Sequence, residues 1–192
     1  LSPDRVTPDT GGGDAKSVMN AAEIARTTTR MSHELLELAG GAEDLVILGI
    51  LTRGVPLARR IAKAVGDAEG IVVPSGELDI TMYRDDLRSQ PLRPVGRTVL
   101  PGPINDKVVV LVDDVLFSGR TVQAALIALA DLGRPAKILL VVLVDRGHRD
   151  MPIQAHIVGR HLPTARSESV RVAMAEMDGH DEVTIEPDEA TL

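Results

Sequence analysis

The chain has 192 residues, 44% of them hydrophobic, enough for one domain with a full core. It has no cysteine, which excludes a disulfide framework or a thiolate metal centre, and with one Tyr, one Phe and no Trp it offers no aromatic platform for stacking bases. A net charge of -7 argues against a uniformly polyanion-binding surface, yet Arg134 to Arg171 carries seven Lys/Arg against three acids, while Glu176 onward holds seven acids and no Lys or Arg.

In chain order, residues 1–17 are polar, hold Gly11-Gly12-Gly13 and lack the apolar run of a signal peptide, so they are expected to form a flexible tail. A helix is expected from Val18 to Ala39, because Ile24, Thr28, Met31, Leu35 and Leu38 recur at steps of four and three, with Gly40-Gly41 ending it. Its opposite face carries Arg26, Arg30, His33 and Glu37. Leu45 to Leu51 is expected as a strand and Val55 to Val65 as a helix, with Pro56 tolerated in the first turn. Ile71 to Val73 and Glu77 to Tyr83 are expected as further strands, the second by alternation of Leu78, Ile80 and Met82 with polar residues.

From residue 84 to 106 the pattern breaks around Pro91, Pro94, Pro101 and Pro103, and we expect a mobile lid of which part can pair as a hairpin. Lys107 to Asp114 is a central strand; Val122, Ala125, Leu126 and Leu129 mark the apolar side of the next helix, and Ala136 to Val144 is another buried strand. Val170 to Ile185 is expected as two strands around Asp178-Gly179, and residues 187–192 as an acidic tail. The alternation of strands and helices predicts an α/β domain over residues 18–186, built on a parallel sheet whose ligands sit beyond the carboxyl ends of its strands. No apolar run approaches the roughly 20 residues of a membrane span, so a cytoplasmic protein without membrane contact is expected.

Chemistry concentrates in Asp113-Asp114-Val115-Leu116-Phe117-Ser118-Gly119-Arg120-Thr121. Two carboxylates at a strand end accept hydrogen bonds from neighbouring ribose hydroxyls, and one can hold Mg²⁺ directly or through water. Backbone N–H groups of Ser118 to Thr121, two hydroxyls and a helix N-terminus then suit a phosphate, and Gly119 permits its close approach. A second turn, Thr52-Arg53-Gly54, could hold pyrophosphate. Neither G-x-x-x-x-G-K-[ST] nor a strand-linked G-x-G-x-x-G occurs, which removes support for nucleoside triphosphatase and dinucleotide readings.

The nine-residue stretch resembles the 5-phosphoribosyl-1-pyrophosphate (PRPP) signature of type I phosphoribosyltransferases, and Thr52 to Gly54 resembles their pyrophosphate loop. Thr29 to Glu34, Glu77 to Asp86, Val144 to Arg149 and Leu162 to Glu168 are similar to the family of bifunctional pyrimidine operon regulators and uracil phosphoribosyltransferases, a likeness running from about Val18 to Ile185. It implies a phosphoribosyltransferase fold with a small hood at about 145–170 and a lid at 84–106. The implied reaction joins uracil to Mg-PRPP, giving UMP and diphosphate, with Asp113, Asp114 and Arg84 as catalytic candidates and Mg²⁺ at Asp113 or Asp114. PRPP or UMP would contact Thr52, Arg53 and Gly54 together with Asp113, Asp114, Val115, Leu116, Phe117, Ser118, Gly119, Arg120 and Thr121.

The resemblance also suggests Arg146 and the backbone around Val158 beside the base. It implies binding of a pyrimidine-operon leader mRNA, promoted by uridine nucleotides such as UMP or UTP, through Thr29, Arg30 and His33, with His148, Arg149, Arg160 and Arg166 as further candidates. At least a homodimer is implied. Leu38 departs from a commonly basic family position, and Phe117-Ser118 from a common Tyr-Thr pair that equally supplies a ring and a hydroxyl. Three functions stand at this point: a bifunctional regulator and enzyme, a salvage enzyme without RNA binding, and a nucleotide-sensing RNA regulator with little catalysis.

Overall fold

The computed structural model describes residues 15–84 and 97–188. The chain opens with strand β1 (Lys16–Asn20) and helix α1 (Ala21–Ala39), then β2 (Leu45–Ile50), α2 (Gly54–Glu69) and β3 (Ser75–Leu78). A short 3-10 turn at Thr81–Tyr83 precedes the lid region. β4 (Val108–Leu116), α3 (Arg120–Leu132), β5 (Lys137–Asp145) and β6 (Ile157–His161) follow, and β7 (Glu168–Ala173), α4 (Ala175–Asp178) and β8 (Glu182–Pro187) close the fold.

Five strands form a parallel sheet in the order β3-β2-β4-β5-β6. All six residues of β2 are buried, as are most of β4 and β5, which is why these strands appear in sequence as continuous apolar runs. One face packs Met31 and Leu35 of α1 with Leu57, Ile61 and Val65 of α2. The other packs Val122, Ala125 and Leu129 of α3 against Leu48, Leu111 and Val142.

The order of the strands places the site. From β2 the chain leaves through α2 to β3 on one side; from β4 it leaves through α3 to β5 on the other. The loops after β2 and β4 therefore diverge to opposite faces of the sheet and open a crevice at its carboxyl end, where open α/β sheets bind ligands.

Several expectations are corrected. α1 begins at Ala21, because Asn20 caps it: the Asn20 side chain accepts from the Glu23 N–H at 3.0 Å and the Glu23 carboxylate from the Asn20 N–H at 2.9 Å. Residues Lys16–Asn20, divided in sequence between tail and helix, form β1 instead and pair with β8. Leu38 falls off the buried stripe and is 40% exposed, and Leu126 on α3 is 38% exposed. Ile71 to Val73 forms no strand: Gly70 adopts the left-handed cap of α2 and the Ile71 N–H bonds back to Gly66, leaving Val72 exposed. The strand expected to reach Tyr83 stops at Leu78, since Asp79 Oδ1 accepts from the Thr81 N–H and hydroxyl at 2.8 and 2.6 Å and turns the chain.

Of the lid expected at 84–106, residues 85–96 lie outside the described residues, and beyond them Val99 pairs with Glu77 in an antiparallel bridge. The hood is also redrawn. β6 belongs to the central sheet, and the separate layer is a three-stranded antiparallel sheet, β1-β8-β7, that reaches Pro187 and pairs the first described strand with the last.

Arg60 ties that layer to α2. It bonds Glu176 at 2.6 and 2.8 Å and Asp181 at two points, both 2.8 Å, and these bonds hold both carboxyls below their ordinary range and the guanidinium above its own. Glu176 is nearly half exposed and its share is screened, so the stabilisation rests mainly on Asp181. Arg60→Ala is expected to cost about 2 kcal/mol in denaturant unfolding at neutral pH. A carboxyl depressed on folding stabilises above its unfolded pKa and stops doing so as pH falls through its folded value. The deficit should therefore shrink in acid; an equal deficit at both pH values would assign it to lost packing.

Candidate active site

At the carboxyl end of β4 the chain crosses a cavity of about 370 Å³ lined by Asp113, by Val115 to Val122, and by Arg84 and Asp150. Asp113 is 7% exposed and Asp114 is half-buried beside it, its N–H donating to Asp113 Oδ1 at 3.0 Å. Burial raises the Asp113 pKa well above the ordinary carboxyl range, and the neighbouring Asp114 charge adds to it, while Arg84 opposes the shift. Burial raises Asp114 too, countered by hydrogen bonds and the charge of Arg53. Two carboxylates that resist ionisation together make a site prepared for positive charge.

Past the carboxylates, Gly119 takes a left-handed φ of 92° and a Cβ there would lie 3.0 Å from the Met151 Cβ, so both backbone and space require glycine. α3 begins at the next residue, which aims a helix N-terminus at the cavity wall formed by Ser118 to Thr121.

The turn after β2 lies against this strand. A Cβ on Gly54 would sit 2.4 Å from the Val112 carbonyl oxygen, so the turn meets β4 backbone to backbone at Gly54. Arg53 donates to Asp178 at 3.1 Å, while its Nε is buried without a hydrogen-bond partner among the described residues. An unmet buried donor costs about 1–3 kcal/mol, which an anion at this turn would relieve.

Sequence reasoning overlooked Asp150 and Asp178. Asp150 lines the cavity and lies 3.6 Å from Arg120; Asp178 reaches Arg53 across 125 positions, a separation that carries no local signal.

The residues expected beside the base are engaged elsewhere, and Asp114 and Thr52 to Gly54 also lie outside the cavity's lining. Neither Arg146 nor Val158 lines the cavity among the described residues. Arg146 is 5% exposed: its Nε donates to Thr164 Oγ1 at 3.1 Å, its Nη2 donates to the carbonyls of Ala165 and Glu168, and its guanidinium lies 4.2 Å above the Phe117 ring. It braces the loop before β7. Val158 packs into the α3-side core and gives its carbonyl to Arg30 at 3.2 Å.

The expected RNA-facing residues separate into two groups. Thr29, Arg30 and His33 share the exposed face of α1, and Arg160 stands on β6, which packs beside that helix. Arg30 also bonds the Gly159 carbonyl at 2.6 Å, so its guanidinium is anchored at the seam, and Arg160 is held by the Val18 carbonyl at 2.7 Å. Arg166 is exposed in the loop before β7. His148 and Arg149 instead turn toward the loop after β4. His148 bonds Thr164 and stands edge-on to Phe117, and Arg149 donates to the carbonyl oxygens of Phe117 and Ile153.

These features match known proteins. The family model described as the phosphoribosyl transferase domain matches residues 14–176. The chain is 56% identical over 174 residues to the bifunctional protein PyrR of Chloroflexus aurantiacus, covering 90% of this chain and 96% of that one. Against the bifunctional protein PyrR of Leifsonia xyli subsp. xyli it is 58% identical over 177 residues, covering 88% and 95%. Among solved structures, a hypoxanthine phosphoribosyltransferase of Trypanosoma cruzi superimposes with a TM-score of 0.70 at 19% identity, over 92% of this chain and 97% of that one. One from Staphylococcus aureus gives 0.66 at 16%, over 92% and 94%. At such identities the structures speak for the fold alone, whereas the first two relatives are similar along nearly their whole length. The chain belongs to the phosphoribosyltransferase family and, within it, to the bifunctional PyrR proteins.

Proposed function

We propose that this protein transfers the phosphoribosyl group of PRPP to uracil, releasing diphosphate and forming UMP, and that it binds a pyrimidine-operon leader mRNA under control of uridine nucleotides. The observation that carries the catalytic half is the meeting, at the sheet's switch point, of a buried Asp113 with the half-buried Asp114, a glycine loop at a helix N-terminus and a turn holding an unsatisfied arginine donor.

The reaction breaks the bond between ribose C1 and diphosphate and the N–H bond of a uracil nitrogen, joins C1 to that nitrogen, and passes the released proton to diphosphate or water. As diphosphate leaves, positive character grows on the ribose ring, which Asp113 and Asp114 stabilise from the strand end. Ser118 to Thr121 hold the 5′-phosphate, and Arg53 takes part of the leaving group's charge. Arg84 faces the same cavity and serves the diphosphate side. For Mg²⁺ the buried, mutually repelling carboxylates are a fitting partner. Among the described residues no cluster of three or more His, Asp or Glu could hold an ion alone, so it would share Asp113 or Asp114 with substrate oxygens and water. Bound there, Mg²⁺ supplies neutralisation of diphosphate charge.

The regulatory half is supported by the exposed Thr29, Arg30 and His33 on α1 with Arg160 beside them. With so few aromatic residues, RNA would be met by guanidinium, imidazole and hydroxyl groups, so binding should weaken steeply with salt. We read the protein as at least a dimer, supported by exposed Leu126, Ile127 and Leu132 on α3. A cytoplasmic setting fits the absence of cysteine and of any membrane-spanning helix among the described residues.

One experiment tests both halves: purified protein is incubated with Mg-PRPP and a panel of bases, and the same preparation is titrated with leader RNA with and without UMP. UMP from uracil alone, and RNA binding enhanced by UMP, are expected. Turnover without RNA binding would reduce the protein to a salvage enzyme; RNA binding without turnover would reduce it to a sensor.

A further inference from the structure

We propose that Arg149 is a positioning residue for the phosphate loop, holding the backbone of Leu116 to Ser118 in the orientation that presents its N–H groups to the ligand. The inference rests on reading that loop as the phosphate site and adds a residue outside the loop on which its shape depends.

The Arg149 guanidinium, partly buried, bonds several main-chain carbonyls of the loop and its neighbours. Nη1 donates to the Phe117 carbonyl at 2.8 Å, the Leu116 carbonyl at 3.4 Å and the Gly147 carbonyl at 3.2 Å, and Nε donates to the Ile153 carbonyl at 3.0 Å. Nη2 is locked by Asp145 Oδ2 at 2.5 Å, whose other oxygen accepts the Gly147 N–H at 2.9 Å. The neighbouring backbone continues the pattern. The Arg146 N–H donates to Leu116 O at 3.1 Å, and the N–H groups of Asp150 and Met151 donate to Ser118 O at 2.9 and 3.0 Å.

Three consecutive loop carbonyls are thus held on the segment from Arg146 to Met151. In a planar trans peptide the N–H points opposite to the C=O across the same bond. Holding the Phe117 and Ser118 carbonyls against that segment therefore turns the following N–H groups, of Ser118 and Gly119, toward the cavity those residues line. Arg suits this task because its planar fork donates to several acceptors at once and stays charged, whereas Lys has a single nitrogen. Asp145 stays ionised beside it: burial raises its pKa, but the Arg149 hydrogen bond, the Gly147 N–H and the Arg149 charge outweigh that and leave it below the ordinary range.

A residue that orders the loop before PRPP arrives affects binding more than the chemical step. The test is steady-state kinetics on full-length Arg149→Gln, Arg149→Lys and Asp145→Asn, with thermal unfolding of each and titration of leader RNA on the same preparations. Arg149→Gln should raise KM for PRPP about tenfold with kcat within about threefold. Arg149→Lys should recover part of this loss. Asp145→Asn, which keeps an acceptor for the Gly147 N–H, should shift KM the same way by a smaller factor. Unchanged KM in Arg149→Gln overturns the proposal, as does a fall in kcat alone, or loss of RNA binding with PRPP kinetics intact. If Arg149→Gln does not fold, an unchanged KM in folded Asp145→Asn overturns it equally. A wild-type chain that binds no Mg-PRPP would sink the reading of the loop itself, an outcome distinct from a wild type that binds and variants that match it.

Discussion

Asp114→Asn is expected to lower turnover with Mg-PRPP by about a hundredfold or more while the fold stays at least as stable as before. Asparagine keeps the shape of the side chain and removes its charge. The charge is what the ribose would use as diphosphate departs, and it is also what the folded protein tolerates badly. Burial raises the pKa of both carboxyls, and the Asp114 charge lifts Asp113 further.

The sign of the pH dependence follows. A carboxyl raised on folding binds its proton more tightly in the folded state than in the unfolded chain. From the unfolded carboxyl value, near about 4, up to the raised folded value, stability falls as pH rises. Asp114→Asn removes one such group and the repulsion on the other, so its unfolding midpoint should gain on wild type as pH rises from acid to neutral. Mg-PRPP should stabilise wild type more than the variant. Parallel measurement of kcat and thermal midpoint checks both claims: undiminished turnover removes Asp114 from the chemistry, and a less stable variant would mean the carboxylate is held by favourable contacts.

Gly54→Ala should damage the molecule at the same place by a different route. The added Cβ would stand 2.4 Å from the Val112 carbonyl oxygen and 3.3 Å from the Asp113 Cα, and both are strand backbone in the middle of the sheet. Neither can swing aside as a side-chain tip could. The start of α2 must move instead, carrying Thr52 and Arg53 away from the carboxylates. A destabilisation of about 3 kcal/mol is expected in denaturant unfolding, with a raised KM for PRPP in whatever remains folded. Gly102→Ala is the matched control, since nothing lies within 4 Å of a Cβ there and its φ is not left-handed. Equal behaviour of the two variants would show that the close approach between turn and strand carries no weight.

Some of the architecture was legible because it is local. α1, α2 and α3 announce themselves through apolar spacing, and the Gly40 cap ends α1 as expected. β2, β4 and β5 are buried on both faces and so remain visible as unbroken apolar runs. The short pieces misled. Ile71 to Val73 has the composition of a strand, but the cap of α2 claims its first N–H, and Asp79 cuts the next strand by bonding two residues ahead. β1 was invisible because it gains its meaning from β8, paired across more than 160 positions.

The site divides the same way. The carboxylate pair and the glycine loop are contiguous, and their chemistry follows from residue type and order. Arginines are different, because a guanidinium with five donors serves equally well outside or inside, and sequence records only that it is present. Tertiary structure turned Arg146 and Arg149 inward onto carbonyl oxygens, left Thr29 and His33 exposed on α1, and set Asp178 against Arg53.

By itself, then, the order of residues pointed to a ribose phosphate at the end of β4, because carboxylates, glycine and a helix start need only be neighbours in the chain to act together. Which groups surround that ligand was decided by the strand order, since it is the reversal between β2 and β4 that opens the crevice and brings Thr52 to Gly54 to the carboxylates.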